Sequence, residues 1–241
     1  MKNNLLIDTS LKLELNKAKV IIDQFIRSCS HNLKSPLTSI EGLVMVASRC
    51  TTLEEINQCL VLIQNSTTKM KEIIENLDQY TCNLKREFAI EQIKPEILIK
   101  KVLSEYHEEI ELERIVVSTE ISQSSKWLCD KHVHYLILKN LVANAIHFSD
   151  STKVKKKLMV NIDVKQDQVK LEISDNGIGI LETEKERIYI PFYRSSVQSK
   201  GNGLGLFLVK GLIEKLRASI SVRSGEKIGT SILLSLPNNC N

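Results

Sequence analysis

The first 87 residues carry apolar side chains at alternating steps of three and four, and this spacing constrains the fold more than any other feature of the chain. It predicts long helices that pack along an apolar seam. Thr51 and Thr52 interrupt the spacing, and each is followed three positions later by a glutamate, which is the capping-box signature of a new helix. The first run is Leu11, Leu15, Ala18, Ile22, Phe25, Cys29, Leu37, Ile40, Leu43, Val44 and Ala47, and the second is Ile56, Cys59, Leu60, Ile63, Thr67, Met70, Ile73, Ile74, Leu77 and Leu84.

Two long helices joined by a short connection form an antiparallel hairpin. A single hairpin has two apolar stripes and cannot bury both, so we expect two copies to pair into a four-helix bundle and the chain to be a homodimer. A structural coiled-coil stalk would show the same periodicity. The sequence therefore predicts a helical hairpin over residues 1–86 and a second domain over residues 87–241.

His31 lies beside the seam of the first helix, on a face that water can reach. Pro36 follows it by little more than one turn, and because proline removes a backbone donor we expect the helix to kink or loosen there. An accessible imidazole next to a bend is a candidate nucleophile. A surface histidine near an unrelated proline is the alternative.

The remainder of the chain mixes strand and helix patterns, which predicts an α+β fold. Two strands with clean alternation, at 158–164 and 169–173, flank Gln166 and Asp167 and are expected to form an antiparallel hairpin. Asp130 is expected to cap a helix from 131 to about 148. The ill-patterned stretch 178–202 is long for a loop, which is typical of functional lids or disordered segments. The other predicted elements are a strand at 88–93, a helix from 95 to about 109, a short strand near 115–117, a helix from about 203 to 217, and strands at 220–223 and 229–236.

Charge and cysteine content argue against several classes of protein. The net charge of +4 is small and dispersed, so nucleic acid is not an expected partner, and the basic run 153–157 is expected to be a solvated turn. Six cysteines without a C-x-x-C pair indicate small buried side chains in a reducing compartment. No apolar run approaches the roughly 20 residues of a membrane span, and no signal-peptide pattern is present. We therefore expect a soluble, cytoplasmic chain that can be part of a longer sensor protein.

Asn140, Asn144 and His147 share one face of the predicted helix 131–148. Two amides and an imidazole can hold phosphate oxygens and a hydrated divalent cation, because Mg²⁺ prefers a few oxygen ligands and water. An ordinary polar helix face is the alternative for this set.

Two glycine-containing segments follow. Asp175, Gly177 and Gly179 come directly after a buried strand, where a carboxylate can accept a hydrogen bond from an exocyclic amine and glycine permits close backbone approach. An Asn-Gly turn is the simpler interpretation of this segment. The second segment opens the next predicted helix with free N–H groups, which favour an anion, although a plain hinge would look the same. It contains Gly201, Gly203, Leu204 and Gly205.

In this order and at this spacing, these sets resemble the sensor histidine kinases of two-component systems over about residues 20–237. The segment at His31 resembles the phosphoacceptor box, Asn140 to His147 the N box, Asp175 to Gly179 and Gly201 to Gly205 the two glycine boxes, and Gly229 with Thr230 the final strand. The resemblance implies a phosphoacceptor hairpin followed by an α/β sandwich ATP-binding domain of the Bergerat (GHKL) type.

The resemblance also implies a role for each site residue. His31 would accept the γ-phosphoryl group of ATP and pass it to an aspartate in the receiver domain of a response regulator. Asn144 would ligate Mg²⁺, and Asp175 would bind the adenine amine with Thr230 behind it. The remaining implied contacts to ATP are Asn140, His147 and Arg194 at the phosphates, Gly177 and Gly179 at the nucleotide, and Gly201, Gly203, Leu204 and Gly205 in the lid hinge.

Two positions depart from the family pattern. Asn32 stands where relatives carry an acid, so it can orient the imidazole through its carbonyl oxygen but supplies no charge. Ser35 stands where relatives carry Thr or Asn, a position implicated in dephosphorylating the regulator. A degenerate kinase that acts mainly as a dimeric scaffold or phosphatase is therefore the alternative. A third hypothesis is an ATPase of the wider superfamily that includes gyrase and heat-shock chaperones.

Overall fold

The computed structural model describes residues 2–194 and 203–238, and it divides the chain into two compact units, Met1–Glu75 and Asn76–Asn241. The first unit is a helical hairpin, and the second contains all the strands described. Among the described residues, no helix is both long enough and apolar enough to cross a bilayer.

The predicted helical hairpin is confirmed. Helix α1 spans Lys2–Ala47 and continues through Pro36 without interruption, and helix α2 spans Leu53–Lys85. The predicted cap of α2 is present, because the Thr52 hydroxyl accepts from the Glu55 backbone N–H at 3.3 Å while the Glu55 carboxylate accepts from the Thr51 N–H at 3.3 Å. The last turns of α2 belong to the second unit.

The second unit is an α+β layer built on a five-stranded sheet of order β2-β4-β5-β7-β6. Strands β2 and β4 pair in parallel, the other neighbours are antiparallel, and β1 pairs with β3 in a separate two-stranded sheet. Two short 3₁₀ turns, Glu182–Glu184 and Arg187–Tyr189, lie in the predicted long loop. The elements are β1 Ile90–Ile93, α3 Pro95–Glu105, α4 His107–Leu112, β2 Ile115–Gln123, β3 Trp127–Asp130, α5 Lys131–His147, β4 Lys156–Val164, β5 Gln168–Asp175, α6 Gly205–Lys215, β6 Ser219–Gly225 and β7 Gly229–Pro237.

Three elements differ from the sequence prediction. Strand β2, expected to be short near 115–117, extends to Gln123 because it pairs with β4 along its whole length. The single helix expected from 95 to about 109 is two helices, because Tyr106 leaves helical backbone geometry at φ −112° and ψ 18° and packs its ring against the core. Strand β3 was not predicted, since it is short and nearly all buried and so lacks the alternation that marks a half-exposed strand.

Helix α5 lies at the centre of the core and packs against α3, α6 and the sheet. One face of the sheet is apolar, as β4 shows by burying every second residue from Leu158 to Val164. Trp127, the single tryptophan, is fully buried beside this helix. Because α5 packs against α3, α6 and the sheet, its backbone is fixed at the positions of Asn140, Asn144 and His147.

The end of α2 is tied to the rest of the second unit by charged groups. The Arg86 guanidinium lies 2.9 Å from the buried Asp130 carboxylate, which also accepts from the Ala89 N–H at 2.8 Å. The Lys215 ammonium, at the last residue of α6, donates to the Asn83 carbonyl at 2.6 Å and to the Arg86 carbonyl. Both ends of the connection after α2 are therefore fixed to the sheet-bearing unit.

Candidate functional site

Helix α5 brings two amide side chains to the first residue of α6. Asp130 caps α5 as predicted, by accepting from the Val133 N–H at 3.0 Å. The Asn140 Nδ2 group donates to the Leu136 carbonyl at 2.7 Å, which fixes the orientation of its amide. A Cβ atom on Gly205 would lie 3.0 Å from Asn140 Oδ1 and 3.7 Å from Asn144 Oδ1. The predicted amide pair and the second glycine segment thus meet in space.

Asn144 has an unused donor at this meeting point. Its Nδ2 atom is buried and has no hydrogen-bond partner among the described residues. Burying an unsatisfied donor costs about 1–3 kcal/mol, so such an atom needs an explanation. A ligand oxygen next to the start of α6 would supply the acceptor, and the helix dipole there favours an anion. His147 lies half-buried three residues further along α5.

The second part of the site lies where β5 ends. Asp175 pairs with Thr230 of β7, and its Oδ1 atom accepts from the Gly177 N–H at 2.7 Å. Burial raises the pKa of the Asp175 carboxyl to about 6, although hydrogen bonds from the backbone of Gly177 and Thr230 and the charge of Lys153 oppose the rise. The group is a desolvated acceptor held at a strand end.

Glycine is required at two positions after Asp175. A Cβ atom on Gly177 would lie 2.2 Å from the carbonyl oxygen of Phe148, directly after α5. Gly179 has a φ of +74°, and a Cβ atom there would lie 1.9 Å from the Gly225 carbonyl oxygen. The backbone of this segment therefore packs directly on the end of α5 and on the β6–β7 turn, which no side chain would permit.

The basic run 153–157, expected to be a solvated turn, is only partly so. Lys155 and Lys157 are exposed, but Lys156 pairs with Glu113 at 2.6 Å. The Lys153 ammonium lies among backbone carbonyls, at 2.5 Å from the Asn176 oxygen and 2.7 Å from the Lys227 oxygen. That expectation was wrong for Lys153 and Lys156, because their partners come from distant parts of the chain.

Other supporting contacts were also missed. The Asn176 side chain accepts from the Lys157 N–H at 2.7 Å and donates to the Lys155 carbonyl at 2.8 Å. The Ser224 hydroxyl accepts from the Ile180 N–H at 2.8 Å. These contacts hold the segment after Asp175 from both sides. In the sequence, the Asn176-Gly177 pair indicated a turn here, but nothing indicated these contacts.

The lid segment is described only at its two ends. Gly203 has a φ of +72°, and its carbonyl accepts from the Phe192 N–H at 2.9 Å, so the two ends lie side by side. Arg194 is exposed, and Leu204 is buried just before α6. Gly201 lies outside the described residues.

The candidate nucleophile lies in the first unit. His31 is exposed on α1, as is Ser35, about one turn further along. Asn32 is half-buried, and its Nδ2 group donates to the Ser28 carbonyl of the same helix at 2.8 Å. The amide nitrogen of Asn32 is thus occupied by the helix backbone, which leaves its oxygen as the group that can face a neighbouring N–H.

Both units match known families. Residues 21–82 match the His Kinase A (phospho-acceptor) domain, and residues 130–239 match the histidine kinase-, DNA gyrase B- and HSP90-like ATPase family. The sensor histidine kinase YclK of Bacillus subtilis is 28% identical over 228 residues, which cover 89% of this chain and 46% of YclK. The histidine protein kinase SaeS of Staphylococcus aureus is 28% identical over 229 residues, covering 88% of this chain and 63% of SaeS.

A solved structure has the same fold. The histidine kinase ThkA, crystallised in complex with response regulator protein TrrA, superposes with a TM-score of 0.72 at 20% identity, over 93% of this chain and 64% of that one. The chain spans about half the length of YclK and just under two thirds of SaeS. With both family domains in order along one chain, the protein belongs to the sensor histidine kinases of two-component systems.

Proposed function

We propose that this chain is the ATP-dependent kinase core of a two-component sensor, which phosphorylates His31 and passes the phosphoryl group to a response regulator. The observation that carries the proposal is the meeting of Asn140 and Asn144 with the start of α6, in the same unit as a buried carboxylate, Asp175, at a strand end. These are the two ends of a nucleotide site. The exposed His31 supplies a matching acceptor.

Asp175 would bind the adenine. Its carboxylate accepts hydrogen bonds, so it would take one from the exocyclic amine of adenine, and Thr230 lies opposite it in the strand register. The glycines at 177 and 179 let the ring approach the backbone closely. Guanine presents a carbonyl where adenine has its amine, so a carboxylate acceptor favours ATP over GTP.

The phosphates would lie at the other end, between α5 and α6. The positive end of the α6 helix dipole, at Gly205, favours the negative charge. The buried Nδ2 atom of Asn144 would donate to a phosphate oxygen, with Asn140 beside it. We assign His147 and Arg194 to the same phosphates, and we include Gly201 and Leu204 in the lid hinge by their place in the segment.

Mg²⁺ fits this site as an ion that the protein and the phosphates would bind together. Among the described residues, no cluster of three or more His, Cys, Asp or Glu side chains could hold a metal ion. The Asn144 amide oxygen would therefore hold Mg²⁺ together with phosphate oxygens and water, which suits an ion that dehydrates reluctantly. When bound, the ion neutralises charge that develops on the phosphates.

The acceptor step needs a neutral imidazole. The lone pair of a His31 ring nitrogen would attack the γ-phosphorus while the bond to the β–γ bridging oxygen breaks and ADP leaves. The proton on the other ring nitrogen needs an acceptor to orient it, which is the role of the Asn32 oxygen. Because an amide cannot take that proton, we expect a slower step than an acid at the same position would give.

The partners follow from the exposed surfaces. In the first unit, the described hydrophobic side chains that are buried are Cys59 and Ile73, whereas Leu53 and Leu60, seven residues apart on α2, are 79% and 53% exposed. Pairing two hairpins would cover such heptad-spaced side chains, so we propose a homodimer. Because the ThkA structure contains a response regulator, we propose a receiver domain as the second partner. ATP and receiver domains are found in the cytoplasm, so we propose that the reaction takes place there. We also propose that residues 1–86 form the dimerisation and phosphoacceptor domain and residues 87–241 the ATP-binding domain.

Incubation with γ-³²P-ATP and Mg²⁺ tests the proposal. We expect an acid-labile, base-stable label that mass spectrometry locates at His31 and that His31→Ala abolishes without weakening ATP binding. Bound ATP with no label, even with a regulator supplied, would instead support the scaffold or phosphatase alternative, which Asn32 motivates. Release of inorganic phosphate without label on the chain would support a plain ATPase.

A further inference from the structure

We propose that Lys153 is a positioning residue that holds the adenine-binding carboxylate in place by clamping the two backbone segments beside it. This inference rests on the proposed function, because it concerns the same nucleotide site. Lys153 itself does not reach the nucleotide in this role. It acts through Asp175.

The Lys153 ammonium contacts carbonyl oxygens of two segments that are far apart in the sequence. In the first segment it donates to the Asn176 oxygen at 2.5 Å and lies 3.3 Å from the Gly177 oxygen. In the second it donates to the Lys227 oxygen at 2.7 Å and lies 3.4 Å from the Ile228 oxygen. An ammonium has three donors, so it can serve both segments at once.

These two segments flank the carboxylate of Asp175. Asn176 and Gly177 follow it directly, and the Gly177 N–H donates to its Oδ1 atom at 2.7 Å. On the other side, Gly229 packs so tightly that a Cβ atom would lie 2.1 Å from the Asp175 carbonyl oxygen, and the Thr230 backbone donates to the carboxylate. Fixing both segments therefore fixes the two N–H donors that orient the carboxylate.

A rigid turn carries Lys153 itself. The Asp150 carboxylate accepts from the Thr152 N–H at 2.9 Å and from the Thr152 hydroxyl at 2.6 Å, and the Lys153 N–H donates to the Asp150 carbonyl at 3.1 Å. This turn follows α5, the helix that bears the amide pair. The clamp thus connects the phosphate-side helix to the adenine-side segments through one side chain.

The clamp also offsets local strain in the β6–β7 turn. Lys227 has a φ of +58°, which is unfavourable for a residue with a side chain. Its N–H donates to the Ile178 carbonyl at 2.7 Å while its own carbonyl accepts from Lys153. A turn held from both sides keeps this conformation, and we expect it to relax when the ammonium is removed.

Three variants of the full chain test the proposal. Lys153→Met keeps the length of the side chain and removes its donors, Lys153→Arg restores donors, and Lys155→Met is the matched control because Lys155 is exposed in the same turn. Loosening the Asp175 carboxylate by the equivalent of one charge-assisted hydrogen bond to adenine predicts about a tenfold higher KM for ATP in Lys153→Met, with a smaller change in kcat. The preference for ATP over GTP should fall as well, Lys153→Arg should recover most of the KM, and Lys155→Met should match the unaltered protein.

An unchanged KM and an unchanged ATP preference in folded Lys153→Met would overturn the proposal, as would an equal effect of Lys155→Met. If Lys153→Met does not fold, Lys153→Leu, which also removes the donors, is judged by the same criteria. Hydrogen exchange without nucleotide provides a readout that does not need kinase activity. Faster exchange at the amides of 177–180 and 227–230 in Lys153→Met supports the clamp, and unchanged exchange refutes it, even if the unaltered protein proves not to bind ATP.

Discussion

Asp175→Asn is predicted to make the nucleotide-free protein more stable at neutral pH while weakening its hold on ATP. Burial raises the pKa of the Asp175 carboxyl from 3.8 to about 6. Between these values the folded state binds more protons than the unfolded state, so the free energy of unfolding falls as the pH rises through this range. Asparagine has the shape of the protonated acid and keeps an oxygen for the Gly177 N–H.

The size of the effect follows from the same pKa. At 1.36 kcal/mol per pH unit, a rise from 3.8 to about 6 corresponds to a destabilisation of about 3 kcal/mol once the carboxyl is ionised. The substitution removes this penalty. We therefore expect Asp175→Asn to gain on the order of 3 kcal/mol at pH 8 and almost nothing at pH 3.5.

Urea unfolding followed by Trp127 fluorescence measures this difference, because Trp127 is the single tryptophan and is fully buried in the second unit. Asp167→Asn, in the exposed β4–β5 turn, is the control and should show no such dependence on pH. Equal or lower stability of Asp175→Asn at pH 8, or the same gain at both pH values, would refute the reasoning. ATP affinity should fall at least about tenfold in the same variant, since a buried site built for one hydrogen bond discriminates strongly.

Four single substitutions give further predictions. Asn32→Asp should raise the rate of ³²P incorporation because it restores a charged acceptor, and an unchanged or lower rate would count against the assigned role. Ser35→Ala should lose any dephosphorylation of the regulator while keeping autophosphorylation, which a phosphate-release assay can separate. Gly229→Ala should lower the stability of the second unit by more than about 2 kcal/mol, because Gly229 has a φ of +129° and its Cβ would collide with backbone. Gly42→Ala, in open space on α1, should instead raise helix stability by about 0.5–1 kcal/mol. Thermal unfolding followed by circular dichroism measures both glycine variants, and a Gly229→Ala protein more stable than Gly42→Ala would contradict these predictions.

Local signals in the sequence were sufficient for much of the fold. The Thr52–Glu55 cap, the Asp130 cap and the β4–β5 hairpin are each made by residues a few positions apart, and all three are confirmed. Periodicity likewise placed α1 and α2. Such features depend on the chemistry of one short segment, which a single sequence displays.

The parts that escaped prediction depend on distant partners. Strand β3 is recognisable only once β1 pairs with it, and the break at Tyr106 reflects where its ring packs. Lys153 looked like one of several equivalent lysines, because its four carbonyl partners lie 23 to 75 positions away. The sequence pattern and the family resemblance proposed the candidate site residues, but they did not indicate the groups that hold these residues in position.

Helix α6 has contacts at both ends that give it a mechanical consequence. Its first residue abuts the amide pair of α5, and its last, Lys215, grips the carbonyls of Asn83 and Arg86 where α2 gives way to β1. With 11 residues at 1.5 Å each, it is a stiff rod about 16 Å long. We expect a displacement at the start of α6 to be carried along the helix to Lys215 and so to the end of α2.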